Sequence, residues 1–159
     1  INLILTEANI YIQLGEKEKF KDLMNQAIEQ DPNNPSLFYN LAVVTSDLGD
    51  KVSAREYYEK AIEIDVNYQN AYLNLVALIL EGEQKIVEEM NSLGTSSKDN
   101  AQYDLLKLER EKLYQECVPI LKKLIDIEKD EDAIKTLMNI YGTLGDNEGF
   151  KQMKALLSE

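Results

Sequence analysis

Apolar residues recur along this chain at intervals of three and four, the spacing of a helix that buries one face. The clearest examples are two consecutive stripes: Phe38, Leu41, Ala42 and Thr45, then Ala54, Tyr58 and Ala61. The pattern predicts an all-α chain of helical hairpins. Each hairpin has two apolar faces and buries the second by stacking against a neighbour.

The hairpins repeat with a period of 34 residues. Leu14-Gly15 recurs as Leu48-Gly49, and Ala27-Ile28-Glu29 recurs as Ala61-Ile62-Glu63. A period of 34 is typical of helix–turn–helix solenoids. We expect the Gly that follows Leu to end the first helix in the left-handed conformation. Asp50 and Asp146, which follow such glycines, are placed to cap the next helix.

The residues at the packing positions of each unit resemble those of the tetratricopeptide repeat family. The first unit has Ile4, Glu7, Ala8, Tyr11, Phe20, Met24, Ala27 and Pro32. The second has Phe38, Leu41, Ala42, Thr45, Ala54, Tyr58, Ala61 and Val66. Glu7 and Val66 depart from the family pattern, and Phe20 stands where Ala is usual. The resemblance implies a right-handed α-α superhelix, or solenoid, of about four hairpins. It spans residues 1–159 as one array with repeats 1–34, 35–68, 69–130 and 131–159.

The third repeat is longer than the others. Gly49 and Gly145 are 96 residues apart in the sequence, whereas two plain repeats of this period need 68. The excess lies at about residues 84–112, and its apolar spacing predicts a rigid antiparallel arm that offers a second contact surface. The outgoing helix is expected from about Asn70 to Leu93. The returning helix is expected to start at a capping box of Asp99 and Gln102 and to include Tyr103 in its seam. Pro119 is expected to kink it.

Composition narrows the classes of function. Asp and Glu number 29 against 17 Lys and Arg, and the formal charge of −12 repels phosphate backbones and anionic lipid. We therefore expect no nucleic-acid partner, and no apolar run approaches the ~20 residues of a membrane span. The chain has no His and one Cys, Cys117, which excludes Ser-His-Asp and Cys-His catalysis and His-ligated zinc. We expect no catalytic residue, no metal and no cofactor. Cys117 is expected to be an inert core residue.

A concave groove is the candidate site. The resemblance implies that the second, fifth, sixth, ninth, twelfth and thirteenth residues of each repeat line it. The predicted peptide-binding residues are Leu5, Asn9, Tyr39, Asn40, Val43, Asn70, Leu73 and Asn74. An Asn amide both donates and accepts, which suits an extended peptide backbone. The alternative is that Asn is simply a common helix-face residue in the family.

A carboxylate clamp is not expected in this groove. Family members that bind a C-terminal carboxylate have cations where this chain has Leu5, Asn70 and Asn74. Without a cation, burial of a ligand carboxylate costs several kcal/mol.

Three classes of function remain open. The leading one is a non-catalytic scaffold that binds a protein or peptide in the groove, as a piece of a larger repeat protein. The second is a structural, self-associating segment. Leu3 and Ile10 are as apolar as their later equivalents, with nothing in the sequence to cover them. The third is an enzyme that uses carboxylates alone, such as Glu7, Asp47 and Glu81. Solenoids with a lengthened hairpin resemble envelope proteins of Gram-negative bacteria, although the sequence itself fixes no compartment.

Overall fold

The computed structural model describes residues 2–158, and this part of the chain forms eight α-helices and no strand. The helices are α1 (Asn2–Gln13), α2 (Lys17–Gln30), α3 (Pro35–Asp47), α4 (Lys51–Ile64), α5 (Gln69–Ser92), α6 (Ser97–Ile127), α7 (Glu131–Leu144) and α8 (Asn147–Leu156). The predicted all-α fold is therefore confirmed. The chain divides into two compact units, Ile1–Leu75 (unit 1) and Val76–Glu159 (unit 2), and α5 begins in the first and ends in the second.

The turns within the hairpins have the predicted chemistry. Gly49 and Gly145 adopt φ angles of 88° and 75°, in the left-handed region where a side chain would be strained. Asp50 then accepts a hydrogen bond of 3.1 Å from the Ser53 N–H at the start of α4. Asp146 accepts one of 2.9 Å from the Gly149 N–H at the start of α8. Each pair ends one helix and begins the next within a few residues.

The core of unit 1 lies between α1, α2 and α3. Its buried residues are Ala8, Phe20, Met24, Ala27, Leu37, Leu41 and Val44. Leu37 and Val44 are 2% and 5% exposed because α3 presses them against the first hairpin. The equivalent residues of the first repeat, Leu3 and Ile10, are 80% and 51% exposed. The face of α1 that carries them has no cover from residues 2–158.

In unit 2, polar contacts join the long helices α5 and α6. Gln102 donates a hydrogen bond of 3.1 Å to Glu89, and the Arg110 guanidinium donates two, of 2.9 and 2.6 Å, to one oxygen of Glu83. Residues later in α6 meet residues earlier in α5, so the two helices run antiparallel. The buried side chains of α6 are Leu106, Tyr114, Cys117, Leu121 and Leu124.

The expected capping box of Asp99 and Gln102 is wrong. Ser96 is the N-cap of α6, and its hydroxyl accepts from the Asp99 N–H at 3.2 Å. The Asp99 carboxylate accepts from the Ser96 N–H at 3.1 Å, so Asp99 is the third helical residue and not the cap. Ser96 has the extended backbone that a cap requires, whereas Asp99 is already helical. Tyr103 is 45% exposed, and so lies outside the buried seam in which it was expected.

Candidate functional site

A cleft of about 320 Å³ opens in unit 1 between α1 and α3. Its walls are Leu5, Asn9 and Ile12 from α1 and Asn40 and Val43 from α3. Its floor consists of four residues of the unit 1 core: Ala8, Phe20, Met24 and Val44. The helical spacing explains the walls, because residues three or four apart share one face of a helix. The cleft is therefore apolar at the bottom and amide-bearing at the rim.

Four of the eight predicted groove residues come together here. Leu5 and Val43 are half-buried, whereas Asn9 and Asn40 are exposed. The two exposed amides have no hydrogen-bond partner among residues 2–158, so their donors and acceptors are available to a ligand. Aliphatic carbon lines the cleft at Leu5 and Val43, and the two amides stand at its rim.

Tyr39 and Asn74 lie in a different arrangement, a cluster of tyrosines. The Asn74 amide donates to the hydroxyl of Tyr39 at 3.1 Å and to that of Tyr58 at 3.4 Å. The Tyr39 ring lies 6.0 Å from the ring of Tyr58 and meets the ring of Tyr68 edge-on at 5.4 Å. Both residues are thus held by neighbours within unit 1. Asn74 fixes two phenol groups, which the sequence pattern did not indicate.

Asn70 and Leu73, the last two predicted residues, face solvent on the first turns of α5. Asn70 is exposed, and the Leu73 side chain is 39% exposed. Neither lines the cleft between α1 and α3.

The cleft has no charged wall. The nearest charged groove residue by sequence, Asp47 at the end of α3, pairs with Lys17 at 3.2 Å. The Asp47 side chain is 58% exposed, so this ion pair is a solvated surface contact. A ligand carboxylate inside the cleft would have no cation to compensate its lost hydration.

A second cavity, of about 300 Å³, lies in unit 2. It is lined by Leu80 and Glu83 from α5, Arg110 and Tyr114 from α6, and Thr136, Asn139, Ile140 and Thr143 from α7. Thr136, Asn139 and Thr143 are the sixth, ninth and thirteenth residues of the fourth repeat. Counting the groove positions through the fourth repeat as well would have found them. Arg110 and Tyr114 come from the lengthened return of α6, which has no counterpart in the other repeats.

The Glu83 carboxylate is the shared acceptor of a hydrogen-bond network in the wall of this second cavity. Besides the two hydrogen bonds from Arg110, it accepts one from the Tyr114 hydroxyl. The Arg110 guanidinium also lies over the Tyr114 ring, 5.2 Å from its centroid. Burial raises the pKa of Tyr114 above its usual value, and the hydrogen bond to Glu83 raises it further. The network fixes α5 to α6 at the base of the extension.

One other expectation concerns a single side chain. Cys117 is fully buried in α6, in the core position that the sequence predicted. In the acidic segment between α6 and α7, Asp130 caps α7 through the Ala133 N–H at 2.7 Å, and Glu131 pairs with Lys135 at 2.8 Å. Within residues 2–158, no helix has the length and apolarity needed to cross a membrane.

Comparison with known proteins finds tetratricopeptide repeats in the first part of the chain. Two family models, both described as tetratricopeptide repeat, match residues 2–34 and 23–56. Together the two matches cover residues 2–56, which hold the first helical hairpin and most of the second. No curated protein matches the sequence.

Solved structures share this helical fold. A putative protein binding protein from Bacteroides ovatus aligns over 87% of this chain and 70% of its own, with 22% identity and a TM-score of 0.65. The first tetratricopeptide domain of Spaghetti, solved with the HSP90 peptide SRMEEVD, aligns over 90% and 94%, with 19% identity and a TM-score of 0.55. The Sgt2 domain from Aspergillus fumigatus aligns over 99% and 79%, with 22% identity and a TM-score of 0.55. These likenesses concern the solenoid fold.

Proposed function

We propose that this chain is a non-catalytic interaction scaffold whose unit 1 cleft binds an extended, uncharged segment of a partner protein. The observation that carries the proposal is the cleft itself, with an apolar floor and the free amides of Asn9 and Asn40 at its rim. The similar fold of Spaghetti was solved with a bound peptide, which supports a peptide as the class of ligand. That peptide, SRMEEVD, is acidic, whereas the cleft here has no cation in its walls.

The amino-acid composition of the expected ligand follows from the residues in the walls of the unit 1 cleft. Leu5, Ile12 and Val43 would surround one aliphatic side chain, and Asn9 and Asn40 would bond to the peptide unit on either side of it. Acidic residues near this anchor would meet a chain of formal charge −12 and be disfavoured. We therefore expect a motif with one Leu, Ile, Val or Met, and no Asp or Glu beside it.

A peptide library with blocked termini tests the proposal. Selection on the wild-type chain should enrich an aliphatic residue and deplete Asp and Glu around it. Asn9→Ala with Asn40→Ala should weaken the selected peptides by roughly 2–5 kcal/mol, since two hydrogen bonds are lost and the ligand's groups are left partly unsatisfied. Asn25→Ala with Asn91→Ala is the matched control, because both amides are exposed and outside the cleft. Equal binding by the two double variants would place the ligand elsewhere.

Self-association through α1 is the second candidate, and the exposure of Leu3 and Ile10 favours it. Their equivalents Leu37 and Val44 show that these positions pack against a neighbouring hairpin where one is present. Sedimentation of the wild-type chain should then show a concentration-dependent species that Leu3→Ser with Ile10→Ser removes. Leu14→Ser with Val52→Ser is the control, since these side chains are 68% and 72% exposed. A wild-type chain that stays monomeric at every concentration would exclude this candidate.

Carboxylate catalysis receives less support. Asp47 is exposed and paired with Lys17, and Glu7 is exposed on α1. Neither lines the unit 1 cleft, and a carboxylate acid or base needs a pocket that shields it from water.

A further inference from the structure

An exposed apolar stripe runs along α6 in unit 2, apart from the contact with α5. It consists of Ala101, Leu105 and Leu108, spaced by four and then three residues, which places them on one face of the helix. Leu105 is 61% exposed and Leu108 is 54% exposed. The neighbouring residue Leu106 is 4% exposed, so the face that meets α5 is a different one.

The stripe has the residue spacing of one strand of a coiled-coil seam. Leu105 and Leu108 hold the positions called a and d, and Ala101 holds the d position before them. Lys98 and Lys112 end the seam on either side. The apolar part from Ala101 to Leu108 is thus about 10 Å long, at 1.5 Å per residue. A partner helix would cover it with two to three turns.

Three of the residues that flank the seam are acidic. Asp104 and Glu111 lie on one side and Glu109 lies on the other, at the positions that face a partner helix across the seam. Glu111 has only a weak ion pair with Lys107, at 3.9 Å, and its side chain is 33% exposed. Asp104 and Glu109 have no ionic partner among residues 2–158. A helix docked here would meet three carboxylates.

A second copy of this stripe is a poor partner. In an antiparallel pair, Asp104 of one copy would lie opposite Glu111 of the other. In a parallel pair, Asp104 would face Glu109. Both arrangements place carboxylate against carboxylate, which disfavours the contact. If the flanking residues of the partner helix are Lys or Arg, each of these repulsive contacts becomes attractive.

We propose that the Leu105–Leu108 stripe of α6 docks an amphipathic helix of a partner protein, with aliphatic residues in the seam and Lys or Arg at its flanks. This surface is separate from the unit 1 cleft and shares no residue with it. The chain would then hold a peptide in one unit and a basic helix in the other. Failure of either interaction leaves the other unaffected.

Two helical peptides of about three heptads test the proposal. Both have Leu throughout the seam; one has Lys at every flanking position and the other has Glu. The Lys peptide should bind the wild-type chain, as measured by fluorescence anisotropy, and the Glu peptide should not. Leu105→Ser with Leu108→Ser should weaken the Lys peptide on the order of 10–100-fold. Asp104→Asn with Glu109→Gln and Glu111→Gln should weaken it about 3–10-fold.

Controls separate this surface from general attraction to an acidic chain. Asp22→Asn with Glu29→Gln and Glu56→Gln removes the same charge from exposed positions of unit 1 and should leave binding unchanged. Leu14→Ser with Val52→Ser removes two exposed apolar side chains of unit 1 and should also leave binding unchanged. Leu105→Ala with Leu108→Ala gives a second seam variant that keeps helix propensity.

The proposal is overturned if no binding occurs up to about 100 µM, if controls and seam variants lose affinity equally, or if Leu105 and Leu108 instead join two copies of the chain.

Discussion

The side-chain amide of Asn74 donates a hydrogen bond of 3.1 Å to the phenol oxygen of Tyr39, one repeat earlier in the chain. It also reaches the Tyr58 hydroxyl at 3.4 Å, and so ties α5 to both helices of the preceding hairpin. The Asn40 amide has no such partner in residues 2–158. Two asparagines at the same position of consecutive repeats therefore differ in their contacts.

Asn40→Ala and Asn74→Ala should separate binding from stability. Asn40→Ala should leave the free energy of unfolding unchanged within error, because its amide is exposed. Asn74→Ala should lower it by about 0.5–1.5 kcal/mol, since it removes hydrogen bonds to two phenols. Urea denaturation followed by circular dichroism measures both. Equal stability of the two variants would mean that the tyrosine cluster does not depend on Asn74.

The start of α6 gives a second comparison. Ser96→Ala should cost about 1 kcal/mol of stability, because the hydroxyl satisfies the Asp99 N–H. Gln102→Ala removes only a surface hydrogen bond to Glu89 and should cost less than half as much. Gly94→Ala should also be harmful, because its Cβ would lie 2.9 Å from the Asp99 carboxylate. If Gln102→Ala were the more harmful of the first two, the assigned cap would be incorrect.

Alkaline pH should lower the free energy of unfolding through ionisation of Tyr114. Its pKa is raised in the folded state by burial and by the hydrogen bond to Glu83, whereas in the unfolded state it is ordinary. The folded state therefore keeps the proton longer, and its stability should be intact below about pH 10 and decline above it. Tyr114→Phe should reduce this decline. The pKa of Tyr72 is also raised by burial, so some decline should remain. Thermal unfolding from pH 8 to 11 of both chains provides the measurement.

Thr45 should tolerate loss of its hydroxyl. The residue is 0% exposed, and its hydroxyl has no hydrogen-bond partner among residues 2–158. A buried, unsatisfied hydroxyl is costly, and Val has nearly the same shape without it. Thr45→Val should raise the free energy of unfolding by about 1 kcal/mol, whereas Thr45→Ser should lower it through the lost methyl group. Destabilisation by Val would reveal a partner for the hydroxyl.

The sequence specified the helices and their ends better than the site. Helix spacing and the Leu-Gly turns depend on residues that are close in the sequence. The left-handed turn at Gly49 and the helix caps at Asp50 and Asp146 could therefore be predicted directly. The contacts of Asn74 with Tyr39 and of Arg110 with Glu83 join residues that are 35 and 27 positions apart. Whether such contacts form depends on the side-chain rotamers, which the sequence pattern does not show. The capping-box prediction was wrong for a simpler reason. Two pairs of residues three apart, Ser96 with Asp99 and Asp99 with Gln102, both have capping-box spacing, and Ser96 is the N-cap in the structure.

Removal of residues Lys85 to Lys112 tests whether the extension is an independent arm. Repeats depend on their nearest neighbours, so a short turn in its place should leave a folded, helical chain. The deletion also removes Arg110 and leaves Glu83 with Tyr114 alone. Adding Glu83→Gln should therefore recover stability in the shortened chain. Amide exchange in the full chain should be slow from 84 to 112; fast exchange there, or unfolding of both shortened chains, would contradict a rigid arm.

The floor of the unit 1 cleft is made of the same side chains that fill the unit 1 core. Enlarging the cleft by truncating Phe20 or Met24 would open a void in the core and cost about 2–5 kcal/mol, a large part of what a domain of this size has to lose. The chemistry of the cleft can therefore change at lower cost through its walls, which are Leu5, Asn9, Ile12, Asn40 and Val43. The depth of the cleft is thus tied to the stability of unit 1, whereas the chemistry of its walls is much less so.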